Sequence, residues 1–310
     1  VKMAINQSRE EKNPKMTLTS IFNLAGYRYW TASILPAIIG TTLPFWLDPP
    51  DFTFKWIESV EFIIATVLCH AGFSFLLSGF EYKSTTLWTK SKLLASGFIC
   101  LSFVIVIGLH LNSNLQLNRN VNSNIFLFYG IAVISAGLLY VAPPVKFFKH
   151  VGGEVFLFEG FGMIPILGAY LVQTGDLTRT VYLASLPVVV STALWVWVSE
   201  LISLESDLKI GRNTMIMIFP PQFSGRYIPN ILIILILVLL IASVIIRHSL
   251  NPLSLTGLLS IIFGIKTFKI SWNSYSNISE MLKVHKYAFI IHLIICLSIC
   301  LSSLIPSFNR

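Results

Sequence analysis

The run ILIILILVLLIASVII, residues 231 to 246, contains no charged residue, and Ser243 supplies its one polar side chain. A helix that crosses the roughly 30 Å hydrocarbon core of a bilayer needs about 20 apolar residues. With its apolar neighbours this run reaches that length. Because the run is apolar on every side, it predicts a helix that faces lipid and holds no functional site.

The composition of the whole chain agrees with a membrane protein. Of the 310 residues, 55% are hydrophobic and 12% are charged, and the mean hydropathy is +0.75. A soluble domain carries about 25% charged residues. Apolar runs of spanning length occur at residues 29–47, 57–79, 94–110, 125–143, 155–173, 182–202, 228–247, 253–271 and 287–306. We therefore expect an all-α, polytopic membrane protein: a polar tail over residues 1–20, then one domain of nine transmembrane helices over residues 21–310.

The net charge of +8 raises the question of a nucleic-acid partner, but the placement of the charges favours a lipid bilayer instead. All but five of the 22 Lys and Arg residues fall on one side of the nine-helix scheme. The five on the other side are Lys55, Arg119, Arg179, Arg247 and Arg310. Loops on the cytoplasmic side of a membrane carry the excess of Lys and Arg. The sequence thus predicts a cytoplasmic N-terminus, a functional site open to the cytoplasm and no nucleic-acid partner.

Acidic and basic residues gather at the end of the sixth apolar run. Glu200, Ser203 and Asp207 follow an i, i+3, i+7 spacing, which places them on one face of a helix. At about 1.5 Å per residue, Glu200 and Asp207 are about 10 Å apart along the axis. Acids at a membrane edge are costly unless they are paired, hydrated or bound to a cation, and Lys209 and Arg212 follow within two turns.

A similar group follows the second run, where FEYKS, residues 80 to 84, contains Glu81 and Lys83. Mg²⁺ prefers a few carboxylates, water and phosphate oxygens, and lysine or arginine neutralises the remaining phosphate charge. The two acid-plus-base groups therefore match a metal-bridged phosphate site. Composition alone favours the other interpretation, in which they are two loops at the membrane surface whose charges are only solvated.

Several other side chains have two interpretations. His70 lies three turns before Glu81 and can face the same cavity or a neighbouring helix. Glu159, inside the apolar LFEGFG, needs a buried partner or a neutral carboxyl, and a role near a reacting chain is the functional alternative. Small residues in the fifth apolar run predict close approach of neighbouring helices; they are Gly160, Gly162, Gly168 and Ala169. The four cysteines, Cys69, Cys100, Cys296 and Cys300, lie within apolar runs and read as buried apolar residues.

Four stretches resemble the UbiA superfamily of intramembrane prenyltransferases. They are YRYWTASILPAIIG (residues 27 to 40), FEYKS (residues 80 to 84), YVAPPVKFFKHVGGEVFLFEGFGMIPILGAYLVQTG (residues 140 to 175) and ESDLKIGRNT (residues 205 to 214). Among its branches, the likeness is closest to the MenA type, which prenylates 1,4-dihydroxy-2-naphthoate. The resemblance implies nine helices around a central cavity and a Mg²⁺-assisted reaction in which an isoprenyl diphosphate releases its diphosphate and the isoprenyl group is transferred to an aromatic or other lipophilic acceptor.

The same resemblance implies which residues form the site. Glu81, Glu200 and Asp207 would be the catalytic acids and the Mg²⁺ ligands. Substrate-binding residues would be Arg28, Lys83, Tyr140, Lys146, Glu154, Lys209 and Arg212. The family's acid motifs are incomplete here, because Leu77, Ser78, Leu87 and Ser203 stand at positions where the family has Asn or Asp. The remaining acids match one bound ion better than two.

Three alternatives remain open at this point. A terpene cyclase on the same fold would trap the allylic cation within its own chain and need no acceptor. A non-catalytic isoprenoid-binding membrane protein would have lost the metal chemistry. A transporter is the third, although the sequence shows no repeat of helices of the kind that transporters contain.

Overall fold

The computed structural model describes residues 18–47, 52–81, 88–118, 124–209, 211–246 and 248–305. Within these ranges the chain is helical and has no strand, and nine helices are long and apolar enough to cross a membrane. This confirms the all-α, nine-helix prediction. The helices are α1 (Trp30–Leu47), α2 (Trp56–Phe80), α3 (Lys90–Asn118), α4 (Asn124–Val141), α5 (Gly153–Thr174), α6 (Arg179–Lys209), α7 (Phe223–Ile245), α8 (Pro252–Ser274) and α9 (Ile278–Ser303). A short helix, Leu18–Leu24, precedes them.

Of the four buried apolar clusters among the described residues, the two largest join most of the helices. The larger joins α1, α5, α6, α7 and α9, through fully buried residues such as Ile39, Tyr170, Leu194, Leu240 and Ile295. The smaller joins α1 to α5, through Ala37, Phe62, Leu111, Phe126 and Val172. Since α1 and α5 belong to both clusters, they form the centre of the bundle.

Helix α7 corrects the expectation that the run 231–246 faces lipid on every side. Ile234 and Val238 are indeed exposed on the outside of the bundle. Ile236 and Leu240, by contrast, are almost fully buried in the larger cluster. An all-apolar sequence does not show which side of the helix is buried and which side faces lipid, because the protein core and the lipid accept the same side chains.

Small residues bring α5 close to its neighbours, as predicted for three of the four. A Cβ at Gly162 would lie 2.8 Å from the Cα of Val189 on α6, and one at Gly168 would lie 2.5 Å from the ring of Phe62 on α2. Ala169 is fully buried against α1. Gly160 differs, because nothing lies within 4 Å of an added Cβ there; this glycine faces open space.

Helices α5 and α7 each contain one π-helical turn, Glu159–Met163 and Phe223–Tyr227. Each turn ends two residues before a proline, Pro165 or Pro229. Proline has no N–H to donate to the carbonyl four residues earlier, so the regular α-helical bond is missing at both places. A widened turn is one way in which a helix absorbs that loss.

Candidate active site

The acids of α6 lie on one buried face, as the spacing predicted. Glu200 is 3% exposed and Asp207 6%. Ser203, between them, donates a hydrogen bond of 2.8 Å to Asp207 Oδ2. All three side chains line one large cavity.

Arg212 joins these two acids. Its Nη2 lies 2.6 Å from Glu200 Oε1, and its Nη1 lies 3.4 Å from Asp207 Oδ2. The chain can turn back towards α6 because Gly211 adopts a positive φ of 69°, which glycine accepts without steric cost. Burial by itself disfavours the charge on Arg212, but the surrounding acids outweigh it and hold the pKa of the guanidinium above its ordinary value.

Glu81, at the end of α2, pairs with two lysines from the loop after α4. Its Oε1 lies 2.7 Å from Lys146 Nζ and its Oε2 lies 2.7 Å from Lys149 Nζ. Lys146 has a φ of 49°, a costly conformation for a residue with a side chain and one that concentrates at functional sites. Partial burial would raise the pKa of the Glu81 carboxyl, but the hydrogen bonds and charges of the two lysines hold it below its usual value.

Three contacts fasten the loop after α4 to the loop after α6. Arg212 Nε donates to the carbonyl of Phe148 at 2.8 Å, and the amide of Asn213 donates to the carbonyl of Lys149 at 2.9 Å. The third contact runs through Glu154, whose Oε1 accepts from the amide of Met215 at 2.6 Å. Glu154 Oε2 also accepts from the amide of Gly152 at 3.1 Å. Glu154, predicted as a substrate-binding residue, is thus a buried anchor of the loop after α6.

The other predicted substrate-binding residues divide into three groups. Tyr140 lines the cavity and packs edge to face on Phe148, 6.1 Å between ring centroids. Lys209 is exposed and does not line the cavity. The side chains of Arg28 and Lys83 lie outside the described residues, so their predicted roles stay predictions.

The cavity connects the charged cluster with an apolar chamber inside the bundle. Its volume is about 940 Å³, near the upper end of the usual range for ligand-binding pockets. Glu200, Ser203, Asp207 and Arg212 form its polar end. The apolar chamber is lined by residues of α2 to α6, including Phe62, Phe73, Ile105, Ile134, Phe161 and Trp195.

Sequence analysis missed several polar side chains on the cavity wall. Asn23 of the short first helix, Tyr29 and Ser74 of α2 line it; Ser78, already noted at a position of the family's acid motif, lines it as well. His70 lines the cavity too, which agrees with one of its two interpretations. Its ring also forms a hydrogen bond of 2.8 Å with Ser33 of α1, which agrees with the other. The i, i+4 spacing of Ser74 and Ser78 in an apolar helix could have indicated them. Nothing in the sequence marks Asn23, which lies in a short polar segment.

The carboxylates partly suit the predicted Mg²⁺. Glu200 Oε2 is buried and has no hydrogen-bond partner among the described residues, so it can accept a cation beside Asp207. Glu81, by contrast, has both oxygens engaged by lysines. In the described part of the chain, no three His, Cys, Asp or Glu side chains cluster as a metal site. The donors therefore fit one ion on α6 and do not fit a two-ion clamp, while Glu81 as a metal ligand remains a prediction.

Comparison with known proteins shows the fold. No protein-family model and no curated protein matches the chain. A digeranylgeranylglyceryl phosphate synthase structure matches with 16% identity and a TM-score of 0.62, covering 93% of this chain and 98% of that one. A UbiA homolog from Archaeoglobus fulgidus bound to Cd²⁺ matches with 14% identity and a TM-score of 0.64 (91% and 98% covered), and the same homolog bound to GPP and Mg²⁺ with 13% identity and a TM-score of 0.61 (88% and 99% covered). The fold is therefore that of UbiA homologues, and the chain is an integral, multi-pass membrane protein.

Proposed function

We propose that the protein is an intramembrane prenyltransferase, which moves an isoprenyl group from an isoprenyl diphosphate to an aromatic or other lipophilic acceptor. The observation that carries the proposal is one continuous cavity that is basic and acidic at one end and apolar along the rest. An isoprenyl diphosphate has the same division, with a charged head and a hydrocarbon tail. The fold supports the proposal, because a similarly folded UbiA homolog binds GPP, which is an isoprenyl diphosphate, together with Mg²⁺.

Arg212, Lys146 and Lys149 would hold the diphosphate. In the structure Arg212 lines the cavity and pairs with Glu200. The two lysines pair with Glu81, do not line the cavity, and belong to the loop that Arg212 contacts through the carbonyl of Phe148. Because charge-assisted contacts to phosphate oxygens are strong, an arriving diphosphate can take over these bonds from the carboxylates. Arginine presents its N–H groups in a planar fork that matches phosphate oxygens in pairs.

Exchange of partners would leave Glu200 and Asp207 free for a cation. Mg²⁺ bound there would supply Lewis-acid stabilisation of the negative charge that builds up on the departing diphosphate. The basic side chains stabilise the same charge directly. Both contributions make the C–O bond of the allylic substrate easier to break.

The aromatic wall suits the cation that this cleavage produces. Tyr140, Phe73 and Trp195 line the cavity, and an aromatic face attracts a positive charge within about 6 Å. The apolar wall also keeps bulk water from the cation. The acceptor then supplies the nucleophile; the likeness to the MenA branch favours an aromatic one such as 1,4-dihydroxy-2-naphthoate.

A terpene cyclase is the second candidate, favoured by the incomplete acid motifs and by the largely apolar cavity between the helices. The two functions differ in their need for an acceptor. Purified protein in lipid nanodiscs is incubated with labelled geranylgeranyl diphosphate and Mg²⁺, with and without 1,4-dihydroxy-2-naphthoate. We expect pyrophosphate and a prenylated product in the presence of the acceptor. A terpene formed without it would assign a cyclase, and the absence of any turnover with either mixture would overturn both proposals in favour of a binding role.

A further inference from the structure

We propose that Glu159 is the proton acceptor of the reaction, a catalytic residue that takes up the proton lost when the prenylated product forms; this rests on the proposed function. Glu159 lies within membrane-spanning helix α5 and lines the cavity. An ionisable residue inside a membrane span is costly, and such residues usually face a cavity and serve a function.

The surroundings of Glu159 leave its carboxyl available. Among the described residues, no side chain or backbone group forms a hydrogen bond or ion pair with it. Of the other acids of the site, Glu81 is paired with two lysines, Asp207 with Arg212, and Glu154 with two amides. Glu200 is paired with Arg212 through Oε1, and its remaining oxygen, Oε2, is the one that the proposed function assigns to the cation. A base needs a free lone pair within reach of the proton. Of these five acids, Glu159 is thus the one whose carboxyl both lines the cavity and has no partner in the described part of the chain.

The π-helical turn explains why the side chain faces the cavity. Glu159 begins the turn Glu159–Met163. Gly162 packs on α6, whereas Gly160 has only open space beside it, so the wall recedes next to Glu159. Phe161 and His70 both line the cavity and stack on each other, with 4.9 Å between ring centroids. Such π turns occur often at functional sites, where they turn a side chain out of the regular helical register.

Glu159 also lies at a suitable depth. Glu154 lies beside the charged cluster, because it accepts a hydrogen bond from Met215 in the loop that carries Arg212, and Glu159 follows it by five residues, about 7.5 Å along the helix axis. Side chains on a helix tilt towards its N-terminus, and the N-terminus of α5 is at the charged cluster. This tilt favours a carboxyl directed towards the charged cluster, where the diphosphate would leave.

The chemistry requires a base at this place. The C–O bond to diphosphate breaks and its electron pair leaves with the phosphate oxygen. The allylic carbon then bonds to the acceptor, which gives up one proton, and Glu159 carboxylate becomes the carboxylic acid that later releases it. If the cation were trapped within its own chain, loss of a proton to Glu159 would equally end the reaction as an olefin.

The test measures what becomes of the cation when the base is absent. Wild type, Glu159→Gln, Glu159→Asp and the control Glu61→Gln are compared with labelled geranylgeranyl diphosphate and 1,4-dihydroxy-2-naphthoate. Glu61 suits as control because it is also an acid within a span, pairs with His110 at 3.1 Å and does not line the cavity. The readout is the ratio of prenylated acceptor and olefin, whose released proton the proposal assigns to Glu159, to geranylgeraniol, which forms when water captures the cation and passes its proton to other water molecules.

We expect Glu159→Gln to shift that ratio towards the alcohol by roughly tenfold or more while labelled diphosphate still binds, and Glu159→Asp to restore part of it. A merely structural role would lower all products together. An unchanged ratio and rate in Glu159→Gln, with an active wild type, would overturn the role of Glu159 alone. No turnover in the wild type would instead overturn the proposed function.

Discussion

At the scale of single residues, Glu81 shows how a site can differ from the pattern that predicted it. The sequence placed Glu81 beside Lys83, a residue outside the described part of the chain, and the structure pairs it with Lys146 and Lys149. The acid type and its place at the end of α2 could be predicted from FEYKS. Its partners could not, because they come from a loop 65 residues away whose position only the packed bundle fixes.

Glu81→Gln tests whether this acid belongs to the site. Glutamine keeps the size of the side chain but removes the charge that holds both lysines. We expect the rate to fall at least about tenfold, about 1.4 kcal/mol of transition-state stabilisation, measured as pyrophosphate release. Glu81→Asp retains the charge and should keep much of the activity.

Glu61→Gln is the matched control, since it removes an acid from the same helix away from the cavity. Normal expression and near-wild-type turnover in Glu81→Gln would show that the acid only anchors the end of α2.

Asp207→Asn tests the predicted metal site on α6. Asparagine can still accept the hydrogen bond from Ser203 but lacks the charge that a cation needs. We expect turnover to require a several-fold higher Mg²⁺ concentration than the wild type, measured by titrating Mg²⁺ at fixed substrate. The exposed acid Glu205, two residues away, provides the control Glu205→Gln; an Asp207→Asn titration curve that matches it would remove Asp207 from the metal site.

At the scale of elements, the helices could be predicted well and their interruptions could not. In the described ranges the nine apolar runs form nine helices, because the bilayer thickness sets the number of apolar residues that a spanning helix needs. The π turns of α5 and α7 depend on how Pro165 and Pro229 lose a helical hydrogen bond and on how the bundle absorbs that loss. The pattern of apolar residues does not predict where a π turn forms. The sequence could therefore identify Glu159 as an unusual acid in an apolar helix, but it could not show that Glu159 lines the cavity.

The joined loops after α4 and α6 are a second feature of this scale, and Glu154→Gln tests them. Glu154 accepts hydrogen bonds from the backbone amides of Met215 and Gly152. In glutamine an NH₂ group replaces one of these oxygens, and this group would face a backbone N–H, which is also a donor. Leaving a buried donor unpaired costs about 1–3 kcal/mol. We expect faster hydrogen exchange at Met215 and its neighbours in nanodiscs, with Glu205→Gln unchanged. Wild-type exchange in Glu154→Gln would contradict the anchoring role.

At the scale of the whole molecule, the sequence predicts an orientation in the membrane, which the fold alone does not contain. Lys and Arg gather on one side of the nine-helix scheme, so that side is predicted to be cytoplasmic. Val151, between α4 and α5, and Asp176, between α5 and α6, are both exposed and lie at opposite ends of α5. One of the two must therefore be cytoplasmic and the other external.

Single cysteines at these positions test the orientation. We expect Val151→Cys to react with a membrane-impermeant maleimide only in inside-out vesicles, and Asp176→Cys only in right-side-out vesicles. The unsubstituted protein, whose four cysteines lie within spans, corrects for background.

Because Val151 lies between Lys149 and Glu154, its label also reports the side on which the charged cluster opens. A charged diphosphate cannot cross the bilayer unaided, so cytoplasmic labelling means that the substrate enters from the cytoplasm. External labelling of Val151→Cys would reverse both the orientation and the route of the substrate, and labelling of both positions from one side would contradict the spanning role of α5.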